Sequence, residues 1–375
     1  MNQTRPKRVL HIIAALGNGG VESMIMNINR NMDKDKCVFD FIVHTDERKY
    51  IEEINKLGGN IYQLPNMIEC GIIKYMRLLI EILRNGHVYH AVHTHMLLQN
   101  GFILCAAKLA GVKVRVSHSH LTEAQRGITK HFEPILKKLI QWFSTDKLAC
   151  GREAGKFMYG KAKFEVINNT VDLEDFRQVK DIKQELEELS CKENAIIIGH
   201  VGRLNGQKNH DFIIELAESM KHKELNFCIF CVGDGNLEAE IRKKIRDKNL
   251  NSEVILLGAR KDIPRFLKTI DVFILPSLYE GLPVVLVEAQ AAGKPCIVSD
   301  TVTNESDLGL GLVNFLNLKD SKDMWIKSIL NKSKMTPLDS KKIEEVFIEK
   351  KYHIKECANR LLNIYGIKEN GSEVC

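Results

Sequence analysis

The stretch that decides the fold reads Asp271-Val-Phe-Ile-Leu-Pro-Ser-Leu-Tyr-Glu280-Gly-Leu-Pro-Val-Val-Leu-Val-Glu288-Ala289. Its first five residues predict a short buried strand that ends at proline, and the apolar run from Val284 predicts a helix. One glutamate then lies in the loop after the strand, and the other lies about one turn into the helix. In open α/β sheets, ligands bind at this edge, where helix amino termini attract anions. Two carboxylates held there can accept hydrogen bonds from several hydroxyls of a ligand; the alternative is a capped helix with a buried glutamate.

Composition indicates an ordinary globular protein of two domains. The chain has 375 residues, of which 44% are hydrophobic and 27% are charged, enough apolar surface for two cores. No apolar run is long enough for a transmembrane helix, and no signal segment precedes the first predicted strand, so we expect a cytoplasmic protein. The ten cysteines are then expected to remain thiols, and Cys228 and Cys231 lack the second pair of a zinc site. A net charge of +6 suits anionic substrates or a membrane surface, and no nucleic-acid-binding motif is present.

Short apolar strands alternate with amphipathic helices in both halves, which predicts an α/β protein with parallel sheets. The predicted strands are 9–14, 39–44, 91–95, 112–116, 195–201, 226–232, 254–257, 272–275 and 295–298, and the predicted helices include 21–32, 72–84, 97–110 and 340–365. The highly charged segment 181–194 separates the halves, so the boundary is expected near 170–190. Ligands of two-domain proteins bind preferentially in the cleft where the domains meet, and the site is expected there.

A glycine-rich loop, Ala15-Leu-Gly17-Asn-Gly19-Gly20-Val-Glu22, follows the first predicted strand and precedes a helix. Glycines let backbone amides approach a phosphate, and the helix terminus adds positive potential. Glu22 stands where a dinucleotide fingerprint needs glycine, and no Gly-Lys-Ser/Thr of a Walker loop follows. The loop is therefore interpreted as a phosphate-facing turn of another type, or as a bare turn.

Two histidine pairs, His93-Thr-His95 and His118-Ser-His120, lie at predicted strand ends. Alternate residues of a strand share a face, so each pair offers two ligands to a metal. Neither pair has an aspartate or cysteine near it in sequence, so no metal is expected. The first pair is equally compatible with packing or surface histidines.

Two cations stand five positions apart in the turn Gly202-Arg203-Leu-Asn-Gly-Gln-Lys208, after another predicted strand. Fixed positive charge at a strand end would stabilise the negative charge of a phosphate-bearing ligand without a metal. A solvated surface pair is the alternative. A further basic residue, Arg260, follows the strand predicted at 254–257.

Taken together, these segments resemble family 4 of the retaining glycosyltransferases, whose signature is Glu-x7-Glu, here Glu280 to Glu288, with Gly-x-Gly-Gly-x-Glu and Gly-Arg-x4-Lys. The resemblance implies the GT-B fold, in which two Rossmann-like domains face each other across a cleft and a C-terminal helix crosses back. It implies an acceptor-binding domain over 1–175, a nucleotide-sugar-binding domain over 176–340 and a returning helix over 341–375. Absence of a glycine-rich turn in Thr301–Ser306 is typical of the capsular or exopolysaccharide subgroup.

The resemblance also implies a role for each candidate residue. The donor is a nucleotide sugar, expected to be UDP-linked, and no cofactor or metal is expected. Glu280 is assigned to the transferred sugar, Glu288 to the ribose, Arg203 and Lys208 to the phosphates, and His118, in preference to His120, to the sugar. The remaining substrate-binding candidates are Gly17, Gly19, Gly20, His120, Gly202, Arg260, Gly281, Leu282, Pro283 and Val284.

The acceptor is expected to be a polyprenyl-diphosphate-linked lipid or a saccharide, which would bring the protein to the inner membrane surface. The segment 130–143 mixes bases with Trp142 and Phe143 as an interfacial helix does. It also suits an ordinary helix with Leu136, Leu139, Ile140 and Phe143 in the core. Two other functions stay open: a sugar-nucleotide epimerase of the same fold, and a non-catalytic partner subunit of a transferase.

One junction segment departs from the family pattern. Ile167-Asn168-Asn-Thr170-Val-Asp172 resembles Ile-Pro-Asn-Gly-Val-Asp, with asparagine in place of proline and threonine in place of glycine. The local backbone there is expected to differ from that of the family.

Overall fold

The computed structural model describes residues 5–17, 20–46, 49–120, 132–168, 170–177, 179–190, 192–280 and 282–367. The chain divides into two compact units, residues 1–170 with 354–375, and residues 171–353. The predictions for Gly19 and Gly281, and for residues 130 and 131 of the basic helix, lie outside the described residues.

The first unit is built on a seven-stranded parallel sheet in the order β3-β2-β1-β4-β5-β6-β7. Its strands are β1 Lys7–Ile12, β2 Cys37–Val43, β3 Ile61–Gln63, β4 Tyr89–Thr94, β5 Val114–Ser119, β6 Asp146–Ala149 and β7 Glu165–Val166. Its helices are α1 Gly20–Asn31, α2 Ile51–Lys56, α3 Met67–Cys70, α4 Ile72–Asn85, α5 Asn100–Leu109, α6 Glu133–Phe143, α7 Arg152–Tyr159 and, from the end of the chain, α16 Ile354–Ile364. β2 is buried along its whole length, as expected for a strand covered by helices on both faces.

The second unit repeats this plan with a six-stranded sheet in the order β10-β9-β8-β11-β12-β13, again parallel. Its strands are β8 Ile196–Val201, β9 Phe227–Val232, β10 Val254–Gly258, β11 Val272–Leu275, β12 Cys296–Ser299 and β13 Val313–Leu316. Its helices are α8 Glu174–Arg177, α9 Lys183–Ser190, α10 His210–His222, α11 Glu238–Asp247, α12 Ile263–Thr269, α13 Val284–Ala291, α14 Lys322–Lys332 and α15 Ser340–Glu349.

The nine predicted strands are all present, within three residues of their predicted ends. β3, β6, β7 and β13 were not predicted, because each has four residues or fewer and only β6 has fully buried residues. The helix predicted over 97–110 begins as a short 3₁₀ turn, Leu97–Gln99, before α5.

The single helix predicted over 340–365 is wrong, since the chain forms α15 and α16 instead. Lys351 adopts a left-handed backbone conformation with φ 62°. The amide of the next residue, Tyr352, then donates to the carbonyl of Phe347, a bond that closes a helix end. Phe347 packs into the core of the second unit, whereas α16 packs against α1 in the first.

Within the described ranges, the cysteines follow the expectation with one exception. The described free thiols are Cys37, Cys70, Cys105, Cys150, Cys231, Cys296 and Cys357. Cys228 is disulfide-bonded, so the expectation of thiols throughout is wrong at that position.

Candidate active site

Three loops of the second unit meet at the carboxyl edge of its sheet. They follow β8, β11 and β12, which are neighbours in the sheet. Because parallel strands end at the same edge, the Gly202–Asn209 loop and the loop that carries Glu280 are brought together. The sequence-predicted cations and the first glutamate therefore belong to one site.

Lys208 and Glu280 form the central contact of this site. The Lys208 Nζ lies 2.6 Å from the Glu280 Oε1, and the exposed fractions of the two side chains are 14% and 9%. Ser277 Oγ donates to the same carboxylate oxygen at 2.9 Å. The lysine charge is therefore already paired in the absence of a ligand.

The path of the Lys208 side chain requires glycine at position 202. A Cβ built on Gly202 would lie 2.8 Å from the Lys208 Cδ and Cε atoms, far inside van der Waals contact. Gly233, with φ +141°, packs its Cα against the Gly202 carbonyl, which a side chain there would meet at 2.0 Å. Both glycines thus give the lysine its route along the backbone to the carboxylate.

Hydrogen bonds tie the two loops together. The Asn205 side chain accepts from the Lys208 amide at 3.2 Å, and Asn209, in the left-handed conformation, donates through Nδ2 to the Pro276 carbonyl at 3.0 Å. The Leu278 amide donates to the Gln207 carbonyl at 2.8 Å, and Gln207 Nε2 donates to the Tyr279 carbonyl at 3.0 Å. The lysine and the glutamate are therefore held by a fixed backbone frame.

Hydroxyl groups that the sequence analysis missed anchor this frame to β12. Ser299 Oγ and Thr301 Oγ1 both donate to the Ser277 carbonyl, at 2.6 and 2.7 Å. The spacing Ser-x-Thr directly after a predicted strand is the signal that points to them, because alternate residues share a face. Glu280 itself forms an isolated parallel bridge with Val302.

The two arginine candidates have different environments. Arg203 is exposed, and its guanidinium has no ion pair with any residue that the structure describes. Arg260 donates to both carboxylate oxygens of Asp262, at 2.9 and 2.8 Å, and to Glu185 at 2.7 Å. The hydrogen bonds to Asp262 raise the pKa of Arg260 further above its ordinary value. Arg203 is thus available to an anion, whereas Arg260 is occupied within the protein.

Glu288 lies on α13, whose first turn is held by the core. Pro283 caps the helix, Leu282 is buried in the core, and Val284 packs against it. Burial, with a smaller contribution from Asp175, raises the pKa of Glu288 to about 7. Its carboxyl makes no hydrogen bond or ion pair within the described ranges, unlike that of Glu280. The two predicted glutamates therefore differ in their partners.

In the first unit, the glycine loop is described only in part. Gly17 is buried, and Gly20 is the exposed first residue of α1. Lys49 donates its amide to the Leu16 carbonyl at 3.0 Å. The loop thus leads from β1 into a helix amino terminus, as predicted.

The two predicted histidine pairs lie together at the ends of β4 and β5, and a fifth imidazole, from β1, joins them. We name this group the histidine cluster: His11, His93, His95, His118 and His120. The sequence analysis missed His11, although it lies in β1 opposite His93 in the sheet register. A histidine near the end of each of three neighbouring strands is the signal that could have found it.

Hydrogen bonds link the rings of the cluster in two rows. His93 lies 2.7 Å from the Tyr365 hydroxyl through Nδ1 and 3.2 Å from His118 Nδ1 through Nε2. His95 lies 3.2 Å from His11 Nδ1 and 2.8 Å from His120 Nε2. Burial lowers the pKa of His11 and of His120 to about 3, and burial with neighbouring histidines lowers the pKa of the other three. The cluster is therefore neutral near pH 7.

The described helices include none that is both long and apolar enough to cross a membrane.

Comparisons with known proteins agree with this geometry. Residues 181–308 match the family model described as glycosyl transferases group 1. The chain is 38% identical to a putative glycosyltransferase EpsF of Bacillus subtilis (strain 168), over 98% of each chain. It is 31% identical to the UDP-Gal:alpha-D-GlcNAc-diphosphoundecaprenol alpha-1,3-galactosyltransferase of Escherichia coli, over 79% of this chain and 77% of that protein.

Among solved structures, the chain is similar to Anabaena Alr3699/HepE in complex with UDP, with a TM-score of 0.76. The two are 16% identical over 96% of this chain and 99% of the other. That likeness shows the fold, which is the GT-B fold of two helix-covered parallel sheets, and the predicted fold class is confirmed.

Proposed function

Because this chain belongs to the group 1 glycosyltransferases, we propose that it is a retaining enzyme of family 4 that uses a UDP-sugar. The acceptor we propose is a polyprenyl-diphosphate-linked or free saccharide of surface polysaccharide biosynthesis. The name of the Escherichia coli relative supports the proposed donor and the proposed acceptor, since it specifies UDP-Gal as donor and a diphosphoundecaprenol-linked sugar as acceptor. The sugar transferred is a hexose or an N-acetylhexosamine.

The observation that carries the proposal is the buried Lys208–Glu280 pair on the same loop as Arg203, which is exposed and has no ion pair within the described part of the chain. Transfer leaves negative charge on a diphosphate, and fixed cations stabilise that charge when they are aimed at it beforehand. Lys208 is fixed by Glu280 and by the backbone, and Arg203 remains available for bidentate contact with a phosphate. The proposed reaction therefore needs no metal at the phosphates.

The two glutamates take different parts of the donor in this proposal. Glu280 accepts hydrogen bonds from hydroxyls of the transferred sugar through the oxygen that Lys208 and Ser277 leave free. Glu288 accepts from the ribose hydroxyls, with no protein partner among the described residues to displace. Gly202, Leu282, Pro283 and Val284 shape the donor site in this proposal.

Retention is proposed to occur by attack on the same face of the sugar. The bond from the anomeric carbon to the phosphate oxygen breaks, and the acceptor oxygen forms its bond on that face. The acceptor hydroxyl gives its proton to the departing phosphate oxygen. A covalent route needs a carboxylate nucleophile, yet the hydrogen bonds of His93, His95 and His118 run to other rings and to Tyr365 rather than to a carboxylate. His118 orients the sugar in this scheme.

We also propose that the first unit touches an anionic membrane, where a lipid-linked acceptor resides. α6 turns Ile140 into the core, and Ile135 and Trp142 remain exposed at 57% and 70%. α4 exposes Ile73 at 86%, and both helices pack on α5. Exposed bases on these helices include Lys74, Arg77 and Lys138. Apolar side chains flanked by bases are typical of interfacial helices.

Vesicle flotation tests the membrane contact. The chain should bind phosphatidylglycerol vesicles more strongly than phosphatidylcholine vesicles, and Ile73→Glu or Trp142→Glu should each weaken binding by about tenfold, the worth of burying one large apolar side chain. Met324→Glu changes an apolar side chain of the second unit that is 51% exposed; it is the control and should have no effect. Equal binding by all variants would refute the contact.

The catalytic proposal is tested with radiolabelled nucleotide sugars and a membrane lipid extract, with Arg203→Ala as the matched control. Transfer of label to lipid or saccharide by the unchanged chain, and much less by the variant, supports it. Interconversion of free nucleotide sugars would instead favour an epimerase. A protein that binds UDP yet turns over no donor would favour a non-catalytic partner subunit.

A further inference from the structure

We propose that His95, His118 and His120 of the histidine cluster form a binding site for one zinc ion in the first unit. The sequence pairs did not predict it, because each pair alone lacks a third ligand. The structure supplies the third ligand from the neighbouring strand, since β4 and β5 are adjacent and parallel.

The distances within this trio suit a metal. One ring nitrogen from each of His95, His118 and His120 lies within 4.8 Å of the others. Tetrahedral zinc with nitrogens at about 2.0–2.1 Å holds them about 3.3 Å apart. The contact of 2.8 Å from His95 Nδ1 to His120 Nε2 is already below that value, so small rotations of the rings reach the geometry.

A buried nitrogen without a partner is the second observation. His118 is 1% exposed, and its Nε2 has no hydrogen-bond partner among the residues that the structure describes. A buried polar atom left unpaired costs free energy, and a metal bond would satisfy it. The other nitrogen, Nδ1, lies 3.2 Å from His93 Nε2, and His93 is in turn fixed by Tyr365. Outer partners of this kind orient metal-ligating imidazoles.

The chemistry of the donor set points to zinc rather than to magnesium or calcium. All three ligands are imidazoles, which suit zinc, copper and nickel, whereas hard cations prefer oxygen. Three histidines leave a fourth position for water or for an oxygen of a substrate. His95 and His120 are only half-buried, which gives an ion a way in. The deeper trio of His11, His93 and His95 has two members that are 1% exposed.

The site shares no residue with the groups proposed to bind the donor phosphates. Arg203 and Lys208 of the second unit are the groups proposed to neutralise the donor phosphates. A chelator should therefore remove the zinc without lowering the affinity for UDP. Failure of the zinc site and failure of the transferase proposal therefore give different results.

The experiment uses the full chain, stripped of metal by a chelator and then titrated with Zn²⁺ in a calorimeter and with Co²⁺ in a spectrophotometer. One equivalent of each ion should bind, Co²⁺ should give the intense visible bands of a four-coordinate complex, and Zn²⁺ should raise the midpoint of thermal unfolding. His120→Ala should weaken binding at least tenfold, and His222→Ala, which removes an exposed histidine of α10, should leave it unchanged. UDP binding checks that each variant is folded.

Two results would overturn the proposal. The first is that the unchanged chain binds no Zn²⁺ and that its unfolding temperature does not rise when Zn²⁺ is added; this result needs no variant. Alternatively, binding would survive His120→Ala and be lost in His11→Ala, which would place the ion in the deeper trio.

Discussion

Removing one member of the Lys208–Glu280 pair should destabilise the second unit more than removing both. Lys208→Met leaves the Glu280 carboxylate with only the hydrogen bond from the Ser277 hydroxyl. Glu280→Gln leaves the Lys208 ammonium without its carboxylate, on a side chain that is only 14% exposed. Each single variant therefore strands a mostly buried charge. The double variant strands none, and its side chains keep about the same volume.

The magnitude follows from the burial of the pair. Breaking a fully buried ion pair by removing one partner costs about 3–5 kcal/mol. Because this pair keeps a small exposed fraction, we expect about 2–3 kcal/mol for each single variant. Replacing both partners of a buried pair is often close to neutral, so the double variant should lie within about 1 kcal/mol of the unchanged chain. The coupling free energy is then about 3 kcal/mol or more.

Tryptophan fluorescence during urea unfolding can follow the second unit alone. The chain has two tryptophans: Trp325 is fully buried in the second unit, and Trp142 is 70% exposed in the first. In a Trp142→Phe background, the signal reports the second unit. Lys183→Met and Glu187→Gln are the matched controls, because that pair lies in the second unit and its side chains have exposed fractions of 62% and 41%. Exposed pairs contribute about 1 kcal/mol at most.

One result would refute the reasoning about the pair. If the double variant is as unstable as the sum of its singles, the two charges are not coupled and the 2.6 Å contact has no energetic consequence. A coupling below about 1 kcal/mol, indistinguishable from the exposed control pair, would have the same meaning.

Four further predictions concern the donor, the proton on Glu288 and the product. UDP should bind with equal affinity with and without chelator, and Arg203→Ala should lower turnover by about 10²-fold; calorimetry that shows binding lost in chelator would contradict the first part. Glu288→Gln should lower the affinity for UDP, whereas Glu280→Gln should leave that affinity nearly unchanged and lower turnover. Folding raises the pKa of Glu288 from 4.5 to about 7, so the folded state holds that proton more tightly than the unfolded state. The free energy of unfolding should therefore decrease as the pH rises from about 5 to 8. Glu288→Gln should remove this decrease from the plot of melting temperature against pH. His118→Ala should slow transfer and leave an α-linked product from an α-linked donor, as judged by the NMR coupling constant, and an inverted product would exclude the proposed mechanism.

Much of the second unit could be predicted because its signals are local. Leu275 and Pro276 mark the end of β11, and the apolar run from Val284 fixes α13. Each of these rests on periodicity or on a proline, which act over a few residues. Four short strands, β3, β6, β7 and β13, were not predicted, since each has at most four residues and shows no clear alternation of buried and exposed positions.

The contacts that matter for the site could not be predicted, because they join residues distant in sequence. Nothing local states that the Lys208 ammonium meets Glu280, 72 positions away. The same holds for His11, which joins the histidine cluster only because β1 lies next to β4. The break between α15 and α16 escaped for another reason: a lysine, not a glycine, takes the left-handed position, and no turn residue announces it.

The Lys208–Glu280 pair also allows the two proposed roles of Glu280 to be separated. If Glu280 only positions the lysine, then adding Glu280→Gln to a Lys208→Met background should not lower turnover further, because the lysine charge is already gone. If Glu280 also accepts a hydrogen bond from the transferred sugar, the second substitution should cost about another tenfold, the worth of one hydrogen bond to a charged group. The affinity for UDP should be the same in the Lys208→Met variant with and without Glu280→Gln, since UDP lacks the transferred sugar. We expect the additional tenfold loss with the UDP-sugar, and equal turnover by the single and double variants would remove Glu280 from contact with the sugar.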